Sequence, residues 1–392
     1  MSFLAILGRQ PVLGIAELER VFGGKSIIPI SKQAAIIKSN NFEVQRFGGT
    51  PKAGKIIMEL PRSDWHQISQ KIVNYYMNEL SSYEGKITLG ISAYDCIVSP
   101  REVQKTGIIL KQKLKKYNVS LRLIPNTDSA LNTAVSHHNK LGLSPNKIEI
   151  LVVRGNDNKI IIAQSTGAQN ITAYAKRDQG RPKRDAFVGM LPPKLAQIMI
   201  NLACGNNMGN TGKVLLDPFC GTGVILQEAA LLGYSVYGTD LSEKMIRYSR
   251  DNLNWLADSH NLTFDWYLHE GDATGTKWRQ PINTIVSETY LGQPFSAPPS
   301  PVKLDEVSRN CNNIISEFLK NLAPQIKIGT PICIAIPAWR DKNGHFTHLP
   351  LTSTIARLGY RPHEFTNVSQ NDLLYYRENQ VVARELLVLI KI

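Results

Sequence analysis

At 392 residues, with 43% apolar and 20% charged residues, the chain is long enough for two or three domains, each with its own core. Its formal charge of +13 lies wholly in one half: 27 Lys+Arg stand against 14 Asp+Glu up to Ala186, and 18 of each follow from Phe187 onward. No apolar run reaches the length of a membrane span, and five scattered cysteines without a C-x-x-C pair or a His/Cys cluster argue against a disulfide framework and a metal site.

The first stretch, Met1–Leu7, has no basic flank and no long apolar core, so it reads as a strand rather than a signal peptide, and a cytoplasmic protein is expected. Residues 1–70 are expected to form a small α+β domain. A strand at Phe3–Leu7 leads to a helix from Pro11 with Leu13, Ala16, Leu18 and Val21 as packing positions. Strand-like runs follow at Ala34–Ile37 and Lys55–Leu60, and a helix spans Asp64–Leu80. Residues 71–166 alternate strand and helix. After a strand at Ile87–Ser92, a helix from Pro100 puts Val103, Gly107, Leu110, Leu114 and Tyr117 on one stripe. Lys113, Lys115 and Lys116, with Lys105 and Lys111, fall mostly off that stripe. A basic run alone is a solvated face, but on the basic half of the chain it becomes a candidate surface for a polyanion. His137 and His138 are adjacent on a short helix and point apart, so they are read as surface or RNA-contacting groups, not as metal ligands. Strands at Ile148–Val153 and Lys159–Ala163 close this part.

A basic linker is expected over 167–186, where Lys176, Arg177, Arg181, Lys183 and Arg184 would meet substrate phosphates. Residues 187–392 then alternate strand and helix in the manner of a doubly wound sheet with an antiparallel edge. The opening helix, with prolines near its first turn, buries Leu195, Ile198, Met199 and Leu202 and offers Asn201 as a polar ligand contact. At Leu215-Leu216-Asp217-Pro218-Phe219-Cys220-Gly221-Thr222-Gly223 a buried strand runs into a glycine turn and an apolar helix. Gly221 and Gly223 permit the turn and let backbone amides approach a ligand at the helix N-terminus. The next strand, Ser235–Asp240, ends in a carboxylate suited to ribose hydroxyls. The phosphate-cradling pattern G-x-G-x-x-G is absent, which disfavours a nicotinamide enzyme, and Asp217 suits a cationic ligand better than a pyrophosphate. Asp272 and Ser287 close two further strands at the same sheet edge, where ligands of open α/β sheets bind.

The glycine stretch resembles motif I of class I methyltransferases in its Asp-Pro-Phe-x-Gly-x-Gly form. Together with Tyr174–Asp185, Gly189–Ala196 and Tyr375–Glu385, it resembles the THUMP-domain tRNA (guanine-10-N2) methyltransferase family over nearly the whole chain. The resemblance implies a ferredoxin-like domain, a THUMP-like RNA-binding domain and a seven-stranded class I methyltransferase domain. It implies S-adenosylmethionine held by Met190, Asp217, Phe219, Gly221, Gly223, Asp240 and Asp272, and tRNA as substrate and partner. Some relatives also need a small zinc-binding activator subunit. The family's Asp/Asn-Pro-Pro-Tyr motif, which hydrogen-bonds the exocyclic amine and stacks on the flipped base, is replaced here by Ser287-Glu288-Thr289-Tyr290. Ser287 and Glu288 are the candidate acceptors and Tyr290 the stacking ring. The missing prolines leave open a non-catalytic RNA-binding protein or another base. A DNA amino-methyltransferase would need a recognition region for which the last hundred residues leave no room.

Overall fold

The computed structural model describes residues 1–185, 191–205 and 212–392. These residues divide into two compact units, one of Met1–Ile15 and Lys25–Ala173, the other of Ala16–Gly24 and Tyr174–Ile392.

The first unit holds β1 (Ser2–Ile6), the start of α1 (Pro11–Phe22), β2 (Ile27–Pro29), β3 (Ala34–Lys38), β4 (Lys52–Leu60), α2 (Trp65–Leu80), β5 (Lys86–Tyr94), α3 (Pro100–Lys115), β6 (Ser120–Leu123), α4 (Thr133–His138), β7 (Lys147–Arg154), β8 (Ile160–Ala168) and the start of α5 (Ile171–Gln179). Its eight strands form one sheet in the order β2-β3-β1-β4-β8-β7-β5-β6. β4 pairs antiparallel with β1 on one edge and with β8 on the other. One ladder therefore runs through both stretches that the sequence suggests as separate domains, and the boundary expected at residue 70 falls inside α2. Helices α2 and α3 start where their sequences dictate. Asp64 and Ser99 each close a reciprocal capping box, with Gln67 and Glu102, which satisfies the first free N–H groups. Val103, Leu110 and Leu114 of α3 are buried, whereas Lys113, Lys115 and Lys116 are exposed.

The second unit holds α6 (Pro193–Cys204), β9 (Val214–Asp217), α7 (Val224–Leu231), β10 (Ser235–Asp240), α8 (Glu243–His260), β11 (Trp266–Glu270), β12 (Thr284–Glu288), α9 (Pro301–Leu322), β13 (Pro331–Arg340), β14 (Phe346–Thr347), β15 (Tyr360–Pro362), β16 (Leu374–Tyr375) and β17 (Val382–Lys391). Its strand order is β11-β10-β9-β12-β13-β17-β15, with β14 and β16 at the side. The first five strands of this order are parallel, and β17 runs antiparallel to both β13 and β15. This is the expected seven-stranded class I sheet. The order reverses between β9 and β12, and in such sheets a ligand crevice opens there beyond the strand ends.

Three local expectations differ from what the chain does. The linker expected over 167–186 begins as helix α5, whose start is capped by the Asn170 side chain accepting from Ala173 N at 2.9 Å. Where the alternation of strand and helix expected over 187–392 calls for a helix before β15, the chain makes two short 3-10 turns, Pro350–Ser353 and Ile355–Leu358. Thr352, Ser353 and Thr354 each turn a hydroxyl back onto the carbonyl three residues earlier, which competes with a continuous helix. The strand expected to close at Ser287 runs one residue further, so that Glu288 is the last residue of β12.

The first unit carries a buried ion pair in its sheet. Lys52 Nζ lies 2.5 Å from Glu149 Oε1, with side-chain exposures of 2% and 0%. Lys52 also donates to Leu131 O, and Ser92 donates to Glu149. Removing one partner leaves the other charge stranded in the core, so Lys52→Met is expected to cost about 3–5 kcal/mol. Urea denaturation measures this, and an unchanged midpoint would show that the pair contributes nothing.

Candidate active site

A cavity of about 730 Å³ opens in the second unit over the carboxyl ends of β9, β10 and β12. Its size lies in the range of small-ligand and cofactor sites. Asp217, Phe219, Gly221, Asp240 and Asp272 line one part of it, and Glu288, Thr289 and Tyr290 another.

The floor is built by the glycine turn. Gly221 and Gly223 have φ of +52° and +79°, and a Cβ on Gly223 would come within 2.9 Å of Ser249 Oγ. Gly221 N donates to Asp240 Oδ2 at 2.9 Å, so the turn after β9 and the acid ending β10 are tied together. Ser242 N donates to the other oxygen of Asp240 at 2.9 Å. Ser249 Oγ, reaching up from α8, donates to Gly221 O at 2.8 Å. Asp272 is held by Thr274, whose N–H and hydroxyl both reach Oδ1, at 2.9 and 2.8 Å. Phe219 packs edge-on against Phe318 of α9, centroids 5.2 Å apart.

Asp217 is 1% exposed. Its Oδ1 accepts from Ser287 Oγ at 2.6 Å and from Phe219 N at 3.3 Å. Burial pushes its carboxyl up to about 8, and the charges of Asp240 and Glu288 push the same way against the two hydrogen bonds. Burial also raises Asp240. A dry carboxyl that resists ionisation while empty becomes a strong partner for a cation that enters beside it. The donor set therefore fits an adenosine-linked amino acid sulfonium. Such a group would meet Asp217 with its positive charge and Asp240 with its ribose hydroxyls, and Gly221 would let the backbone approach it closely.

Several expected site residues have other work. Ser287 is fully buried, does not line the cavity, and spends its hydroxyl on Asp217, so it orients that acid instead of accepting from a base. Gly223 shapes the turn from behind. Met190 lies outside the described residues. Asn201 is 6% exposed and donates to Glu17 Oε1 at 2.7 Å, which turns it from ligand contact to structural bond. Of the linker cations, Lys176 and Arg184 are exposed, and Lys183 pairs with Asp251 at 3.6 Å. Arg177 binds Glu228 through two nitrogens, at 2.6 and 3.1 Å, and packs on the Tyr174 ring. Arg181 is only 3% exposed. Neither of these two guanidinium groups is presented to a phosphate: Arg177 is committed to Glu228, and Arg181 is buried, its three nitrogens without a hydrogen-bond partner among the described residues. Tyr290, 41% exposed, keeps a ring free at the cavity wall. Glu288 is ion-paired with Arg384 of β17, a residue in the Tyr375–Glu385 stretch to which the sequence alone assigned no role.

Residues 181–293 match the family described as the RMKL-like methyltransferase domain. The chain is 26% identical over 353 residues to the tRNA (guanine(10)-N2)-dimethyltransferase of Methanothermobacter thermautotrophicus, covering 87% of this chain and 90% of that one. The chain is thus similar to this dimethyltransferase over most of its length, and the domain match falls on the part that carries the glycine turn. A shorter match, 37% over 95 residues, is to the enzyme of the same name from Pyrococcus abyssi and covers 24% of this chain and 26% of that one. Among solved structures, TrmN from Thermus thermophilus superposes over 100% of both chains with a TM-score of 0.53 at 17% identity, which shows a shared fold. The cofactor is S-adenosylmethionine.

Because Asp217 must ionise to meet a cation, affinity for S-adenosylmethionine is expected to rise with pH, by up to about tenfold per unit below pH 8, and to level off above it. Ser287→Ala removes a bond that favours the ionised acid, so its plateau should begin at higher pH. Calorimetric titration across pH 6–9 measures both, and a flat profile for the wild type would contradict this assignment of Asp217.

Proposed function

We propose that the chain transfers a methyl group from S-adenosylmethionine to the exocyclic N2 of a guanine in tRNA, of the guanine-10 type. The observation that carries this reading is one cavity holding the buried acid Asp217, the acid Asp240 at the tip of β10, and a second wall of Glu288 and the free ring of Tyr290. The names of the Methanothermobacter and Pyrococcus relatives supply the base and the position.

Bound S-adenosylmethionine supplies an electrophilic methyl on a sulfonium, whose C–S electron pair stays on sulfur. The chain's residues do the rest by positioning, which is worth several orders of magnitude in rate for an aligned nucleophile. Asp217 takes up the cofactor's positive charge, with Ser287 holding the acid in place. Asp240, fixed by Gly221 and Ser242, accepts from the ribose. Tyr290 stacks on a guanine taken out of its helix, and Glu288 accepts from its amine.

The first unit is read as the tRNA-holding part, with a ferredoxin-like start over 1–70 and a THUMP-like domain over 71–166. Exposed Lys113, Lys115 and Lys116 supply sequence-independent affinity, and exposed Lys176 and Arg184 of the second unit add to it. The protein is placed in the cytoplasm, with tRNA as its macromolecular partner and a small zinc-binding activator subunit as a further one.

Unmodified tRNA transcripts incubated with methyl-labelled S-adenosylmethionine test the reading by nucleoside mass spectrometry. Label is expected in N2-methylguanosine for the wild type and absent for Asp217→Ala. Tight tRNA binding without label, cured by lysate from the source cell, would identify the activator requirement. The same result uncured by lysate would sink the enzymatic reading in favour of RNA binding alone.

A further inference from the structure

We propose that Arg384 is the positioning residue of the methyl-accepting wall. Its guanidinium clamps one carboxylate oxygen of Glu288 so that the other accepts from the exocyclic N–H of the target guanine. This rests on the N2-guanine reading and adds to it the device that stands in for the two missing prolines.

Glu288 is the last residue of β12 and lies on the cavity wall. Across the sheet it stands beside Ala335 of β13, while Arg384 of β17 stands beside Pro337, two residues further along β13. Side chains two apart on a strand share a face, so Arg384 reaches Glu288 across the small side chains of Ala335 and Pro337. Arg384 Nε donates to Glu288 Oε1, with side-chain exposures of 12% and 15%. Oε2 of Glu288 has no hydrogen-bond partner among the described residues. One oxygen committed and one open fixes the direction in which the carboxylate can accept. A charge this deeply placed also needs its partner to remain there.

The backbone is pinned immediately afterwards. Thr289 N and Thr289 Oγ1 both donate to Ala335 O, at 3.0 and 2.9 Å. Two prolines would stiffen the turn covalently. Here a double hydrogen bond holds the backbone and an ion pair holds the side chain.

The chemistry needs such a fixed acceptor because the guanine amine's lone pair is delocalised into the ring. A hydrogen bond from N2–H to Oε2 favours a more tetrahedral nitrogen whose lone pair can form the N–C bond. The proton shed by N2 then passes from Oε2 to water.

Four variants test the assignment: Glu288→Gln, Arg384→Met, Arg384→Lys, and the double Glu288→Gln/Arg384→Met. With saturating S-adenosylmethionine, Glu288→Gln and Arg384→Met are each expected to lower kcat about 10²-fold. KM for tRNA and calorimetric affinity for S-adenosylmethionine should stay within about threefold of wild type, as expected for interactions confined to the transition state. Arg384→Lys should restore part of the loss, and the double variant should be no slower than Glu288→Gln, since Arg384 acts through Glu288. Losses that multiply in the double variant, a near-wild-type kcat for Arg384→Met, or cofactor affinity falling in step with kcat would each overturn the role. Should Arg384→Met fail to fold because Glu288 is left unpaired, the comparison of Glu288→Gln with the double variant decides, as the double carries no stranded charge. A wild type that methylates no tRNA even with lysate from the source cell would refute the N2-guanine reading itself, before any variant is considered.

Discussion

The hydrogen bond from Ser287 Oγ to Asp217 Oδ1, at 2.6 Å and cut off from solvent, is the contact on which the rest of the site depends. It joins the ends of β9 and β12, the two strands between which the sheet reverses its order. A buried carboxyl is costly to ionise, and this one is relieved only by a hydroxyl, one backbone N–H and whatever cation arrives. Strand order, burial and ligand charge are therefore parts of a single arrangement. The sheet brings Asp217 and Ser287 together, burial keeps water out, and the absent charge defines what the site will hold.

Around that contact the same backbone is used twice. The turn through Gly221 and Gly223 puts Gly221 on the cavity lining and also anchors Asp240 through Gly221 N. The end of β12 behaves similarly, because Ser287 and Glu288 point to opposite faces as successive residues of a strand must. Ser287 turns inward to the cofactor acid. Glu288 turns toward Arg384 and the cavity wall. In the proposed reaction two adjacent residues would thus serve its two substrates, one each. The lost proline motif changes how the accepting wall is held and leaves that division intact.

Much of the fold was legible in the sequence. Alternating apolar strands and helices, and the acid–glycine stretch at Asp217–Gly223, led to the sheet and to the edge where Asp217, Asp240 and Asp272 line one cavity. What was not legible depends on partners distant in sequence. Arg177 and Arg181 read as free cations in a basic linker, but α5 forms there and its packing takes both guanidinium groups inward. Ser287 read as a catalytic acceptor because local sequence cannot show that Asp217, seventy positions away, already claims its hydroxyl. Arg384 was invisible as a site residue for the same reason, since its partner Glu288 lies ninety-six positions away across β13. The pairing across the boundary expected at residue 70 was hidden as well: no local pattern reveals that β4 carries ladders on both edges.

The central claim is that one cavity of the second unit holds the methyl donor by Asp217 and Asp240 while leaving the wall of Glu288 and Tyr290 open to a base. A crystal structure with sinefungin, an analogue bearing an amine at the place of the transferred methyl, tests it most directly. The account predicts ribose hydroxyls on Asp240, positive charge beside Asp217, and the amine directed toward the Glu288–Tyr290 wall. Sinefungin bound elsewhere, or bound in the cavity with its amine turned away from that wall, would contradict it.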